Sequence, residues 1–276
     1  MTNPFDLHIH TTASDGSDPP ARLLEKLLAA GIHTFSVTDH DTIEGALEME
    51  ALVPPDLHYI RGVEFSCIHP AGKCHILGYG YDPEDPEFLA ALELGSQLRQ
   101  EKLQNRLNFL RDRFGIILTE EESQWLHSQK SPGKPHLGQL LRNRGLAPDV
   151  STAIQEFINP CKEGRDRIDA EIAIQAIRHA GGIAVWAHPL GGEGEKRLTR
   201  EAFEIHLKLL MDMGIQGLEC YYSRYSEASV TFLLDQARSH GLLVTGGSDY
   251  HGSNKKGISL GQMNMGNTLI GNIPLL

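Results

Sequence analysis

Several of the 14 histidines in this chain lie with carboxylates at the ends of short apolar segments. His8 and His10 are two residues apart in a segment expected to be a strand, so both side chains project from the same face. Asp249 and His251 repeat this spacing after an expected strand near the other end of the chain. The other members end or begin further expected strands, and they are Asp39, His40, Glu64, His75 and His188. Imidazole and carboxylate groups together are typical ligands of Zn, Mn or Fe.

These nine side chains are too many for one metal ion. A catalytic ion takes about three protein ligands and keeps other positions open for water, so the set suits two or three ions. Three carboxylates against three divalent ions would leave a charge of about +3. Such a cluster would attract a phosphate monoester or diester and stabilise the transition state of its hydrolysis.

Each residue taken singly also has an ordinary structural interpretation. A buried histidine is usually a hydrogen-bonding residue of the core, Asp39 could cap the helix that follows it, and Asp15 could close a turn at Ser14–Ser17. Folding alone does not explain why two pairs and several single residues recur at strand ends. The pattern therefore favours a metal centre.

The elements that must position these residues alternate between strand and helix at both ends of the chain. Because the carboxyl ends of parallel strands meet at one face of a β/α fold, we expect the ligands to converge there. The pattern predicts strands over 5–10, 33–37, 59–66, 75–79, 183–187, 217–220 and 242–245. Helices are predicted between them over 19–30, 43–51, 170–180, 201–213 and 227–240, and in the middle of the chain over 86–113, 120–127, 136–144 and 149–157.

The chain also divides by charge. Residues 95–168 carry 12 basic and 9 acidic residues, whereas residues 1–94 and 169–276 together carry 13 basic and 27 acidic residues. We therefore predict an α/β barrel formed by 1–94 and 169–276, interrupted by an all-helical insert over 95–168. A basic insert in an acidic barrel indicates that the insert binds an anion and the barrel binds cations.

Composition excludes several classes of protein. With 276 residues, of which 40% are hydrophobic and 22% charged, the chain can build a packed core. Its net charge of −11 argues against binding of duplex DNA. No apolar run is long enough for a membrane-spanning helix, and the first residues lack the features of a secretory signal. The cysteines show no Cys-x-x-Cys spacing, so we expect a reduced, cytoplasmic enzyme.

Five short motifs resemble those of the PHP (polymerase and histidinol phosphatase) family. They are His8-Ile9-His10, Thr38-Asp39-His40, Gly62-Val63-Glu64-Phe65-Ser66, Ala187-His188-Pro189 and Ser248-Asp249-Tyr250-His251. Together with Gly133-Lys134-Pro135-His136, they are similar to the branch that has a helical insert. This branch includes bacterial 3',5'-nucleoside bisphosphate phosphatases and 5'-to-3' exoribonucleases.

The resemblance implies a distorted (β/α)7 TIM-like barrel, the PHP fold, with a trinuclear metal site. The first ion would take His8, His10, Glu64 and Asp249, and the second would take the bridging Glu64 with His75 and His188. The third would take Asp15, His40 and His251. Asp39 would orient a neighbouring ligand, and the resemblance assigns catalytic roles to Asp39, His188 and Asp249.

The implied function is metal-dependent hydrolysis of a phosphoester by a hydroxide that bridges two or three Mn, Fe or Zn ions. The substrate would be a 3',5'-nucleoside bisphosphate or a short 5'-phosphorylated RNA. The insert would cover the site, and the expected substrate contacts are Lys134, His136, Arg165 and Arg224. The branch usually carries arginine where Lys134 stands, and lysine supplies charge without a bidentate fork.

Three other functions fit the same residues. The first is a histidinol phosphatase or another small phosphomonoesterase. The helical insert argues against it, because a small substrate needs less of the active site to be covered. An amidohydrolase would use a similar barrel with histidine ligands, although its usual centre is smaller. A protein that binds metal and nucleotide without catalysis would be free to lose ligands, whereas this ligand set is complete.

Overall fold

The computed structural model describes residues 5–130, 132–165, 167–192 and 197–263. The chain separates into two compact units. The first unit comprises Met1–Glu93 with Ile168–Leu276, and the second comprises Leu94–Arg167.

A parallel three-stranded sheet opens the first unit, with its strands in the order β1-β2-β3. One face of its first helix buries Leu23 and Leu27 in a core shared with Phe35 and Val37 of the second strand. The elements in chain order are β1 (Phe5–Ile9), α1 (Pro20–Ala29), β2 (Thr34–Val37), α2 (Glu44–Leu52) and β3 (His58–Tyr59).

A mixed six-stranded sheet forms the rest of the first unit, in the order β6-β4-β5-β7-β8-β9. β5 runs antiparallel to both of its neighbours, and the other pairs are parallel. Its strands are β4 (Gly62–His69), β5 (Gly72–Tyr79), β6 (Ile168–Asp169), β7 (Ile183–Trp186), β8 (Gly217–Tyr222) and β9 (Leu243–Gly247). The helices α7 (Ala170–His179), α8 (Arg200–Met213) and α9 (Glu227–His240) alternate with the last four of these strands.

The β4–β5 hairpin corrects the predicted strand bounds. The sequence pattern predicts one strand over 59–66 and a short one over 75–79, with Glu64 and His75 at their ends. Both strands are instead eight residues long, and a two-residue loop joins His69 to its partner Gly72. Pro70 and Gly72 suit the second and fourth positions of such a turn. Glu64 and His75 therefore lie inside strands. The predicted strand over 59–66 spans the end of β3 and the start of β4, so neither β3 nor the short strand β6 was predicted as a separate element.

Two isolated bridges connect the two sheets. Ile9 at the end of β1 pairs with Tyr250, just beyond β9. His40, just beyond β2, pairs with Glu64 in β4. Both bridges are parallel, and each includes or adjoins residues predicted to bind metal.

The second unit is helical in its described part. Its core includes Leu103, Leu110, Leu126, Leu137 and Leu141. Its helices are the long α3 (Pro86–Phe114), which begins in the first unit, followed by α4 (Glu120–His127), α5 (Lys134–Asn143) and α6 (Val150–Ala153), with a π-helical turn over Ile154–Ile158. Among the described residues, no helix is both long and apolar enough to cross a membrane.

Candidate metal centre

Four strands deliver candidate ligands at or just beyond their carboxyl ends. His8 lies near the end of β1 and His10 directly follows it. His40 follows β2, and His188 follows β7. Beyond β9 come the last two members of the set, Asp249 and His251. This placement is the one expected where parallel strands converge.

The β4–β5 hairpin delivers two further candidate ligands from within its strands. Ser66 pairs directly with His75, so their side chains lie on the same face of the sheet. Glu64 is two residues from Ser66 and shares that face. Cross-strand register, and not a strand end, therefore brings Glu64 and His75 together.

The Glu64 carboxylate is the hub of the cluster. It is 1% exposed, and its Oε2 lies 3.2 Å from His8 Nε2, 3.2 Å from His10 Nε2 and 3.2 Å from His40 Nδ1. Its Oε1 lies 2.9 Å from His75 Nδ1 and 3.3 Å from His188 Nε2. Five imidazole nitrogens thus surround one carboxylate, which is the arrangement of a bridging ligand.

One oxygen of the Asp249 carboxylate faces the imidazoles of the cluster, and the other accepts hydrogen bonds from neighbouring side chains. Oδ1 lies 3.4 Å from His10 Nε2 and 3.4 Å from His251 Nδ1. Oδ2 accepts hydrogen bonds from Tyr222 Oη at 2.9 Å and from Lys255 Nζ at 2.7 Å. Two donors therefore hold the carboxylate with its other oxygen toward the imidazoles.

Asp15 is the most exposed member of the cluster, at 32% of its side chain. Its Oδ1 lies 3.1 Å from His251 Nε2 and 3.6 Å from His10 Nδ1, and its Oδ2 lies 3.9 Å from His40 Nε2. Asp15 therefore joins the cluster and does not serve only to close a turn.

Among the described residues, three groups of side chains each bring their potential ligand atoms within 4.8 Å of one another. Two of them contain most of the ligands that the resemblance assigns to the first and third ions. In the third group His40 takes the place expected for His188, which instead contacts Glu64 and His75. The groups are His8, His10 and Asp249; His10, Asp15, His40 and His251; and His40, Glu64 and His75.

The donor atoms fit divalent ions. His8 Nε2, His10 Nε2, His40 Nδ1 and His251 Nε2 are buried, and none makes a hydrogen bond of acceptable geometry within the described residues. Burying such nitrogens without a partner is costly, so their convergence on carboxylate oxygens fits the binding of a divalent cation. Neutral imidazole and ionised carboxylate are the forms that bind metal.

The pKa values of the buried histidines also indicate that the carboxylates of the cluster favour a nearby positive charge. Burial would lower the pKa of His10, but the carboxylates of Asp249 and Glu64 raise it to about 9. Burial would also lower the pKa of His8, but the carboxylates of Glu219, Glu64 and Asp249 have the larger effect and raise that pKa well above its usual value. Without metal, protons on these rings therefore supply the compensating charge.

We expect the metal-free protein to lose stability as the pH rises from 6.5 to 9. The folded pKa of His10, about 9, exceeds its usual value of 6.5, so the stabilisation is complete below pH 6.5 and is lost through pH 9. For His10 alone the loss is about 3 kcal/mol. His40 has a lowered pKa and so alters stability only below pH 6.5. Urea unfolding of chelator-treated protein at several pH values measures how steeply the free energy of unfolding falls with pH. His10→Gln should reduce this slope but not remove it, because the pKa of His8 is also raised. A wild-type stability that is constant or increases over this pH range would contradict the assignment.

Glu219 contacts two of the candidate ligands and was not singled out from the sequence. Its buried Oε1 lies 2.9 Å from His8 Nδ1, and its Oε2 accepts the backbone N–H of His188 at 2.7 Å. A carboxylate behind an imidazole fixes the tautomer and orientation of a ligating ring. The available signal was a lone carboxylate within the apolar segment 217–220.

Two of the candidate ligands adopt backbone conformations that are uncommon for residues other than glycine. His188 has a φ of 29° and Asp249 a φ of 58°. Strained backbone persists only where surrounding contacts impose it, and it clusters at functional sites. The hydrogen bond from the His188 N–H to Glu219 is one such contact.

Asp39 is fully buried but faces the loop after β1. Its carboxylate accepts hydrogen bonds from Thr11 N at 2.8 Å, Thr11 Oγ1 at 2.7 Å and Ser14 Oγ at 2.5 Å. Ser14 Oγ in turn lies 3.5 Å from His10 Nδ1. Asp39 thus contacts the loop that joins His10 to Asp15, and a catalytic role for it stays a prediction.

The four expected substrate contacts are divided between the two units. In the second unit, Lys134 donates to Asn159 at 2.7 Å, His136 Nδ1 accepts from the Gly133 N–H, and Arg165 donates to a backbone carbonyl. Arg224 lies in the first unit, where it donates to the Lys256 carbonyl at 3.0 Å. Their role in substrate binding stays a prediction.

Known proteins with three different named activities resemble this chain along most of its length, among them a phosphoribosyl 1,2-cyclic phosphate 1,2-diphosphodiesterase of Eggerthella lenta that is 29% identical over 90% of this chain and 94% of its own. A 3',5'-nucleoside bisphosphate phosphatase of Chromobacterium violaceum is 28% identical over 93% of this chain and 90% of its own. The 5'-3' exoribonuclease Rnm of Escherichia coli is 30% identical over 90% of this chain and 85% of its own. The solved structure of an amidohydrolase from Chromobacterium violaceum, with bound sulfate, is 26% identical, with a TM-score of 0.80 over 94% of this chain and 90% of that chain.

Residues 6–165 match the family described as PHP domain, which is more than half of the chain. The matched segment contains His8, His10, His40, Glu64 and His75. The fold is accordingly the PHP fold, with mixed α/β content and parallel strands. The resemblance inferred from short motifs is thereby confirmed, and the chain belongs to the PHP domain family.

Proposed function

We propose that this chain is a metal-dependent phosphoesterase that acts on nucleotides, with a 3',5'-nucleoside bisphosphate or a short 5'-phosphorylated RNA as substrate. The observation that carries the proposal is the Glu64 carboxylate, which five imidazole nitrogens surround. The named activities of the Chromobacterium violaceum and Escherichia coli relatives support the substrate class.

The cluster would hold two or three divalent ions, which we propose to be Mn, Fe or Zn. When bound, such ions lower the pKa of water and neutralise charge on phosphoryl oxygens. Glu64 would bridge them, while His188 and Asp249 act as ligands and Asp39 positions the loop that carries Asp15. Glu219, Tyr222 and Lys255 would keep these ligands oriented.

Substrate would approach the cluster at its exposed side. The side chains of Asp15, His75 and His40 are 32%, 13% and 11% exposed, whereas those of His8 and His10 are fully buried. Three ligands therefore border solvent while the others form the floor. The accessible side is suited to a phosphoryl group that enters from solution.

We further propose that seven strands close into a barrel and that the helical insert covers its open end. The two bridges between the sheets support the ring β1-β2-β4-β5-β7-β8-β9. Lys134, His136 and Arg165 of the insert, with Arg224, would then contact the substrate. All four cysteines are buried as thiols, which supports a reducing, cytoplasmic location.

The decisive experiment compares substrates. We expect Mn²⁺-dependent phosphate release from adenosine 3',5'-bisphosphate to exceed release from AMP and from histidinol phosphate, with His8→Ala as the inactive reference. Release mainly from histidinol phosphate would instead support a small phosphomonoesterase. If neither these compounds nor 5'-phosphorylated RNA is hydrolysed with Mn²⁺, Fe²⁺ or Zn²⁺, the proposal is wrong.

Hydrolysis of a C–N bond is the second candidate, because the structurally similar Chromobacterium violaceum protein is described as an amidohydrolase. The same preparations should therefore be tested on N-acyl amino acids. Turnover of these compounds without release of phosphate from any ester would replace the phosphoesterase proposal. Nucleotide binding without turnover of either class would indicate a non-catalytic scaffold.

A further inference from the structure

A cavity of about 280 Å³ adjoins the metal cluster on one side. Two of the candidate ligands, His75 and His188, form part of its wall. Pockets for drug-sized ligands span about 300 to 1,000 Å³, so this cavity suits a single ribose or nucleobase. Its other lining residues are Lys73, Cys74, Trp186, Ala187, Pro189, Gly191 and Leu198.

The wall of the cavity is mostly apolar. The sheet register places the Trp186 indole on the face opposite to the lysine and candidate-ligand side chains of β5, so it holds the end of β7 in place from behind. Trp186 stacks on Phe203 with ring centroids 5.2 Å apart and an interplanar angle of 12°. It also stacks on His206 at 5.8 Å and 5°. Pro189 and Leu198 add further apolar surface. A rigid apolar wall beside a charged cluster is typical of a site that binds a polar molecule by its less polar part.

Lys73 supplies a positive charge at this cavity. It lies two residues before His75 in β5, so the two side chains project from the same face, about 7 Å apart along the strand. Residues outside the insert are strongly acidic, with 27 acidic against 13 basic residues. Lys73 therefore adds positive charge beside the candidate ligands of an acidic unit.

We propose that this cavity is the subsite for the nucleoside part of the substrate, and that Lys73 binds its second phosphate. The inference rests on the proposed phosphoesterase function. One phosphate would lie at the metal cluster, and a single ribose separates it from the other phosphate in a 3',5'-bisphosphate. The flexible side chain of lysine binds phosphate as a point charge, so it can follow either phosphate orientation.

The test compares a bisphosphate with an ester that has only one phosphate. Lys73→Ala should lower kcat/KM for adenosine 3',5'-bisphosphate relative to that for 4-nitrophenyl phosphate by about tenfold or more, mainly through KM. Lys208→Ala is the matched control, since this lysine is 77% exposed on α8, away from the cavity lining, and should leave the ratio unchanged. Leu198→Phe should narrow the cavity and lower the same ratio.

Two measurements separate failure of the subsite from failure of the proposed function. If the wild type hydrolyses both esters and Lys73→Ala leaves the ratio unchanged, the subsite is refuted and the phosphoesterase function stands. If the wild type hydrolyses neither, calorimetric binding of adenosine 3',5'-bisphosphate still tests the subsite. An equal Kd for wild type and Lys73→Ala, or no binding to either, would then refute it.

Discussion

Glu64→Gln is expected to abolish tight metal binding and to lower phosphoesterase kcat/KM by about 1,000-fold or more. Glutamine keeps the shape of the side chain but loses its charge and replaces one oxygen with a donor. Both Glu64 oxygens face imidazole nitrogens, at 2.9 to 3.3 Å. An amide nitrogen at either position could not serve as a ligand, and the remaining carboxylates would not bridge the ions.

Metal content by mass spectrometry and phosphate release should be measured on the same samples of this variant. Glu25→Gln is the control, because Glu25 is 66% exposed and pairs only with surface Arg22 among the contacts described. It should retain both metal and activity. Wild-type metal content together with a wild-type rate in Glu64→Gln would rule out the bridging assignment.

The second large effect is expected at Glu219, which touches no bound ion in our proposal. Its loss should weaken metal binding by about 10-fold to 100-fold. The reason is that Glu219 orients the His8 ring and accepts the backbone N–H of His188, whose positive φ needs support. Glu219→Gln keeps an acceptor oxygen for one of these contacts, so its effect should be smaller than that of Glu219→Ala.

Equilibrium titration with Mn²⁺ gives the dissociation constants directly, without reliance on turnover. Glu204→Ala is a suitable control, since Glu204 is exposed on α8. Near-UV circular dichroism should establish that Glu219→Ala is folded. A folded Glu219→Ala protein that binds Mn²⁺ as tightly as wild type would show that Glu219 does not position the ligands.

Residue spacing was sufficient to predict which candidate ligands converge from the ends of parallel strands. The period of two in a strand places His8 and His10 on one face, and the convergence of strand ends joins them to Asp249 and His251. The first relation depends only on neighbouring residues and the second only on the order of strands and helices, so both can be predicted from a single sequence. The recognisable motifs added Asp15, which spacing alone left as a turn residue.

Spacing was misleading where cross-strand register decides the geometry. Glu64 and His75 were expected at strand ends, but they meet because a hairpin pairs Ser66 with His75. The signal for this hairpin was present in Pro70-Ala71-Gly72, a sequence suited to a tight turn. Turn chemistry fixes register, and register then determines which side chains share a face.

The supporting residues could not be identified from the sequence. Glu219 lies 211 positions from His8, and Tyr222 lies 27 positions from Asp249. Such contacts depend on which strands become neighbours and how deeply each side chain is buried. A glutamate in an apolar strand signals an unusual position, but only the packed sheet shows that it faces a ligand.

The central claim is that these side chains form a metal centre on which phosphoester hydrolysis depends. Its most direct test is to strip the protein of metal, add Mn²⁺ in steps, and measure bound Mn²⁺ and phosphate release from adenosine 3',5'-bisphosphate in the same samples. We predict no release from the stripped protein, and full activity once two to three ions are bound per chain. Full activity in protein shown to be free of metal would contradict the account.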